Sequence, residues 1–264
     1  MNHQSSVNVP NIILIILVGY IACQFFMKFV SSDFSRDFIF YFGFIPANFF
    51  DLFGSNIINT LADQSYDGAR DVSSVNVRNI AIYLFYHPSF VPGSLLTYSF
   101  IHAGWSHLLI NSISLIAFGS IVARRIGPFR FVVLYSMAAI GGALAHFTVH
   151  YHDVIPIIGA SAAISGIIAA SLRFMFQPGE ALSGFSISVY GQYQAPALSI
   201  SKTLQDRRIL IFILLWLGTN LVSGTIGVPL NIDDNIIAWE SHIGGFLTGL
   251  VVFSILDKPI NYPS

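Results

Sequence analysis

Hydrophobic residues in this chain come in long unbroken blocks, not in the alternating or one-faced patterns of a water-soluble domain. A helix rises 1.5 Å per residue, so about 20 mostly apolar residues cross a bilayer core. Six blocks qualify: residues 11–30, 105–123, 131–149, 156–175, 209–227 and 236–255. The pattern predicts an all-α, polytopic membrane bundle of six transmembrane helices, one domain over residues 1–264. Residues 31–104 form a long first loop of mixed character, expected on the extracytoplasmic side. Within it the stretch 35–50 is apolar but interrupted by Arg36, Asp37 and Pro46. It is expected to lie in the membrane interface or dip into it, not to span. Residues 177–206 read as a polar loop without periodicity.

Composition strengthens this picture. Only 9% of residues are charged and 54% are hydrophobic, against about 25% charged in an ordinary soluble domain. A net charge of −1 offers no field for nucleic acid, so the partner read from composition is the lipid bilayer. Cys23 stands alone, which excludes an intrachain disulfide. No Lys or Arg precedes the first block and no small-x-small site follows it, so it is expected to be a retained span.

Cationic residues set the orientation. Arg124, Arg125, Arg130, Arg173, Lys202, Arg207, Arg208 and Lys258 fall on one side of a six-span arrangement. The loops after the third and fifth blocks carry none, and the latter holds Asp233 and Asp234. Lys28, Arg36, Arg70 and Arg78 lie in or beside the long first loop, where the rule weakens. Lys28 and Arg36 alone would place the N-terminus outside, but the eight outweigh them. Both termini are therefore expected in the cytoplasm.

With that topology, polar residues from three separate blocks fall at one depth. Ser161, His242, His107 and Asn111 all lie within about 10 Å of the outer boundary, counting 1.5 Å per residue. Polar groups at membrane depth are costly and usually face the bundle interior or a water cavity. Ala162, Gly166 and Ala170 recur every four residues along the fourth block, and Ser241, Gly245 and Gly249 do so along the sixth. Small residues at that spacing let helices approach closely, which would bring Ser161 to His242 as nucleophile to base. His107 and Asn111 share a helix face and are both donors, suited to an oxyanion hole. His102 is expected to brace the loop or the site.

The segments HAGWSHLLIN, GASAAISG and SHIGGFLTG, with SLLTYSFIHAGW upstream and ARR after the second block, resemble the rhomboid family of intramembrane serine proteases, especially bacterial members. The resemblance covers about residues 95–255. It implies a six-helix bundle with a Ser–His dyad in a wet cavity open to the extracytoplasmic side, in the bacterial inner membrane. It implies cleavage within or near the spans of single-span membrane proteins, with no metal or cofactor. Ser161 would be the nucleophile and His242 the base, while His107, Asn111 and the Ser161 N–H would hold the oxyanion. Gly159 matches the family's glycine two before the serine. Ala162 departs from the glycine that normally follows, and Ser165 stands where an aromatic residue commonly packs on the histidine. Both departures could loosen or crowd the dyad.

Other readings are weaker. No H-E-x-x-H helix exists for a zinc protease, and no paired intramembrane Asp for an aspartyl one. Paired repeats with broken helices, as in small transporters, are absent. The alternative from another class is a non-proteolytic rhomboid-like protein that binds membrane-protein clients; such proteins typically lack the Ser or His that this chain retains. His146, His150 and His152 cluster near the outer end of the third block, but without a Cys or carboxylate at ligand spacing no metal site is expected. Glu240 is turned about 200° from His242 on an ideal helix and is not expected to join the dyad. Trp105 reads as an interface anchor, and Gly141 and Gly142 as packing glycines.

Overall fold

The first apolar block folds as α1 (Asn11–Phe29). The computed structural model describes residues 9–63, 72–87, 91–177, 196–225 and 238–257. Arg70, Asp233, Asp234, Lys258 and positions 178–195 of the expected polar loop lie outside the described residues.

The long first loop is largely helical: α2 (Ser32–Phe42), α3 (Pro46–Asp51), α4 (Ile57–Ala62), α5 (Val72–Tyr86) and α6 (Val91–Thr97), then a 3-10 turn over Tyr98–Phe100. The stretch 35–50 therefore folds as two short helices. The 11 residues of α2 extend about 16 Å, too little to cross. Ile45, Ala47, Ile58, Ala81, Leu84 and Val154 form a small core of their own beneath these helices.

The second block is a continuous helix, Trp105–Ile126, built of α7 (Trp105–Ser114), a π turn (Leu115–Gly119) and α8 (Ser120–Ile126). Gly127, at φ +80, stops α8, and Pro128 opens α9 (Pro128–His150) with a φ already suited to a helix. After α9 come α10 (Ser161–Leu172), α11 (Ile200–Gln205), α12 (Arg207–Thr225) and α13 (Trp239–Leu256). Ser199 caps α11 by accepting from the Lys202 N–H. Among the described residues four helices, α1, Trp105–Ile126, α9 and α13, are long and apolar enough to cross a membrane. α10 is apolar but only 12 residues long, and α12 is a further helix of 19 residues. Among the described residues no strand occurs, only an isolated antiparallel bridge between Phe44 and Ile157.

The largest departure from the expected spans is the fourth, read as 156–175. Its first residues are extended, because Phe44 and Ile157 exchange backbone hydrogen bonds and Gly159 N–H donates to the Tyr98 carbonyl at 3.0 Å. Those N–H and C=O groups are thereby committed outside the helix. Ser161 is thus the first helical residue, not one a turn or more inside.

Lipid tails offer no hydrophobic drive between helices, so close packing and buried polar bonds must hold the bundle. The two small-residue ridges do meet. A Cβ on Gly245 would come 2.0 Å from the Ala162 carbonyl oxygen, and one on Gly249 would come 2.2 Å from that of Gly166. α9 closes the trio, since a Cβ on Gly142 would meet Ala162 Cβ at 2.5 Å and one on Gly141 would meet Thr248 Oγ1 at 2.0 Å. Tyr20 of α1 and Tyr135 of α9 share a buried hydroxyl bond of 2.7 Å, and Tyr135 continues to Ser99 at 3.0 Å. Fully buried Arg125 grips Asp257 with two bonds of 2.6 and 2.9 Å and lies over the Phe174 ring. Leu14, Ile15 and Val18 on α1, Ile110 and Ile113 on α7, and Leu214 and Leu215 on α12 are exposed. So much exposed apolar surface suits lipid as its solvent; the protein is an integral membrane protein.

Candidate active site

The approach to Ser161 is set by its backbone. Pro156 lacks an N–H, and Gly159 sits at φ +118, where a side chain would be strained. A Cβ there would lie 2.7 and 2.8 Å from His107 Cε1 and Nε2, and 3.8 Å from Ser161 Oγ. Glycine at 159 therefore turns the chain into α10 and makes room for the His107 ring beside Ser161.

α13 delivers His242 to the same place. With the α13 backbone against that of α10, His242 Nε2 lies 2.6 Å from Ser161 Oγ. The other ring nitrogen, Nδ1, is hydrogen-bonded to Asn220 Oδ1 of α12. Asn220 Nδ2 donates to the Trp216 carbonyl at 2.7 Å. A carbonyl can only accept, so the amide nitrogen must face Trp216 and the amide oxygen must face His242. Nδ1 of His242 then carries the hydrogen, and the Nε2 lone pair faces the serine hydroxyl. Trp216 also stacks on Phe246 of α13, ring centroids 4.8 Å apart, which steadies this stretch of α12.

His107 receives the Ala103 N–H on Nδ1 at 3.5 Å, which places its own hydrogen on Nε2, beside Gly159. Asn111, 4% exposed, donates from Nδ2 to the His107 carbonyl at 3.0 Å. The amide nitrogen carries a second hydrogen besides that one. His102 lies edge-on to His107 at 5.2 Å and tilted against Tyr20 at 4.9 Å. Burial, reinforced by His107, pushes its pKa down to about 3, so it stays a neutral aromatic brace.

Both departures from the family pattern have a structural answer. The Ala162 methyl points to Gly142 of α9, where only a glycine leaves space for it. Ser165 turns its hydroxyl to the Ser161 carbonyl at 2.7 Å. The histidine that an aromatic residue would pack upon is instead held by the Asn220 amide. Asn220 was missed from sequence, although a carboxamide inside the apolar block 209–227 was a usable signal.

Glu240 is not part of this chain of bonds. It lies against His146 and His150, its Oε1 3.0 Å from His150 Nε2. The expectation that these histidines lack a carboxylate is corrected: α13 supplies one from 90 positions away. His152 stands apart, its ring against Tyr151 and Phe50.

Residues 92–258 match the model of the Rhomboid domain. The rhomboid protease GluP of Bacillus subtilis is 38% identical over 165 residues, covering 62% of this chain and 26% of that protein. The inactive RHOMBOID-like protein 8 of Arabidopsis thaliana is 40% identical over 78 residues, 30% of this chain and 22% of its own. Rhomboid-like protein 17, chloroplastic, of the same plant is 24% identical over 165 residues, 62% of this chain and 50% of its own. The chain thus spans half or less of the length of these relatives.

Proposed function

Because the chain belongs to the rhomboid family, we propose that it is an intramembrane serine endopeptidase cutting single-span membrane proteins near the outer ends of their spans. The observation that carries this reading is the run of hydrogen bonds Ser161–His242–Asn220. Ser161 Oγ attacks the scissile carbonyl carbon as its proton passes to His242 Nε2. The carbonyl oxygen becomes an oxyanion, stabilised by His107 Nε2–H, the Asn111 amide and the Ser161 N–H. That backbone N–H is free of intrahelical bonding because Ser161 opens α10. Collapse expels the amine, which takes the proton from His242 and leaves an acyl-serine. Water then attacks the ester by the same route, with His242 again the base. Asn220 is a positioning residue: it accepts from Nδ1–H and so keeps the Nε2 lone pair on the serine.

A peptide bond must leave its helix to be attacked, so small or helix-breaking residues near the cut favour cleavage. The resemblance to bacterial members supports the bacterial inner membrane as the setting, and the cation distribution supports both termini in the cytoplasm with the site opening outward.

The test uses a fluorophosphonate probe and a reconstituted panel of single-span substrates. Wild-type protein is expected to be labelled at Ser161 and to cleave; Ser161→Ala and His242→Ala are expected to do neither. Cleavage that survives both substitutions would refute the dyad. A folded wild-type protein that neither labels nor cleaves would instead be a client-binding relative.

A further inference from the structure

A second polar cluster lies at the outer end of the bundle and takes no part in the proposed chemistry. His146 and His150 stand one turn apart on α9 with their rings stacked at 4.5 Å. Glu240, in the first turn of α13, reaches both: Oε1 is 3.0 Å from His150 Nε2 and Oε2 is 3.6 Å from His146 Nδ1. One donor atom from each of the three residues lies within 4.8 Å of the others. Four-coordinate zinc holds nitrogen and oxygen ligands at about 2.0–2.1 Å, which puts neighbouring ligand atoms about 3.3 Å apart. The two carboxylate–imidazole spacings bracket that value.

Two further observations favour a cation over a simple ion pair. His146 Nδ1 is buried without a hydrogen-bond partner, in a side chain only 8% exposed. An ion pair between His150 and Glu240 leaves that atom unused, whereas a metal uses it. Asp153 Oδ2 lies 3.1 Å from His150 Nδ1. A carboxylate there keeps the proton on Nδ1 and leaves the Nε2 lone pair to a metal, the outer-shell arrangement typical of metal-bound histidine. His150, with its side chain 34% exposed, leaves the cluster open towards the outside.

We propose that His146, His150 and Glu240 bind one zinc-class divalent cation, with water in the fourth position, fastening the end of α9 to the start of α13. Glu240 is two residues before His242, so the fastened turn is the one that carries the proposed base.

The test takes tag-free, full-length protein, strips it with a chelator and titrates it with Co²⁺ and Zn²⁺. Expected are one Co²⁺ per chain with the ligand-field absorption of a four-coordinate site, displacement by Zn²⁺, and a thermal midpoint raised by about 5 °C at saturation. Glu240→Gln and His146→Ala are each expected to weaken binding by more than about 100-fold, and Asp153→Asn by about 10- to 100-fold. Wild-type protein with neither the absorption nor the midpoint shift would leave a plain histidine–carboxylate pair. Equal affinity in Glu240→Gln would also overturn the site. None of these readouts involves proteolysis, so their failure is separable from failure of the Ser161 chemistry.

Discussion

Asn220 contributes one amide, and its two ends are committed to different partners, the Trp216 carbonyl and the His242 ring. Removing it frees the imidazole to rotate and to take the wrong tautomer. Asn220→Ala is therefore expected to lower kcat by about 100-fold with KM little changed. Asn220→Asp keeps an acceptor for Nδ1–H and is expected to recover about tenfold of that loss. Steady-state kinetics on both variants check this; a loss carried by KM, or no recovery with Asp, would make the residue merely structural. Ser161, His242, His107 and Asn111 could be picked as candidates from the sequence because each sits in a short motif at a countable depth. The Asn220–His242 and Glu240–His150 contacts could not be read there, since each depends on helix rotation across a gap of 22 or 90 positions that no local spacing encodes.

At the scale of elements, the glycine ridges were readable because a four-residue repeat on a helix defines a face. The start of α10 was not, because the residues that hold its approach in extended form, Phe44 and Tyr98, lie far upstream. The ridges also give a sharp contrast among glycines. Gly249→Ala places a methyl about where the Gly166 carbonyl oxygen and Cα now sit, 2.2 and 2.3 Å from the new atom. It is expected to destabilise by about 1–3 kcal/mol as α10 and α13 are forced apart, and to weaken Ser161 labelling. Gly218, on the exposed face of α12, meets nothing within 4 Å. Gly218→Ala is expected to be neutral or to stabilise by about 0.5–1 kcal/mol through helix propensity. Thermal unfolding in detergent separates the two; equal effects would mean that the ridges do not set the helix spacing.

For the whole molecule, the apolar blocks disclosed the membrane bundle, but the charges carried more than topology. Arg125 and Arg173 were counted as orientation signals, yet both are buried. Arg125 is clamped to Asp257, while Arg173 donates to the Leu198 and Leu250 carbonyls at 2.9 and 3.3 Å. Breaking a buried pair strands a charge, so Arg125→Ala is expected to cost about 3–5 kcal/mol. Arg125→Lys is expected to recover little, having no fork to match the carboxylate. Chemical denaturation in detergent would show this, and a change below about 1 kcal/mol would deny the clamp its role. The π turn at Leu115–Gly119 is the one irregular stretch described within the continuous helix Trp105–Ile126. Such a turn inserts one residue into the α-helical repeat and offsets everything beyond it by about 100° from an uninterrupted count. Deleting one residue of the turn would therefore restore an ordinary α-helix and leave Asn111 and Arg125 in their present phase, whereas a deletion elsewhere in Trp105–Ile126 would rotate one end against the other by about 100°.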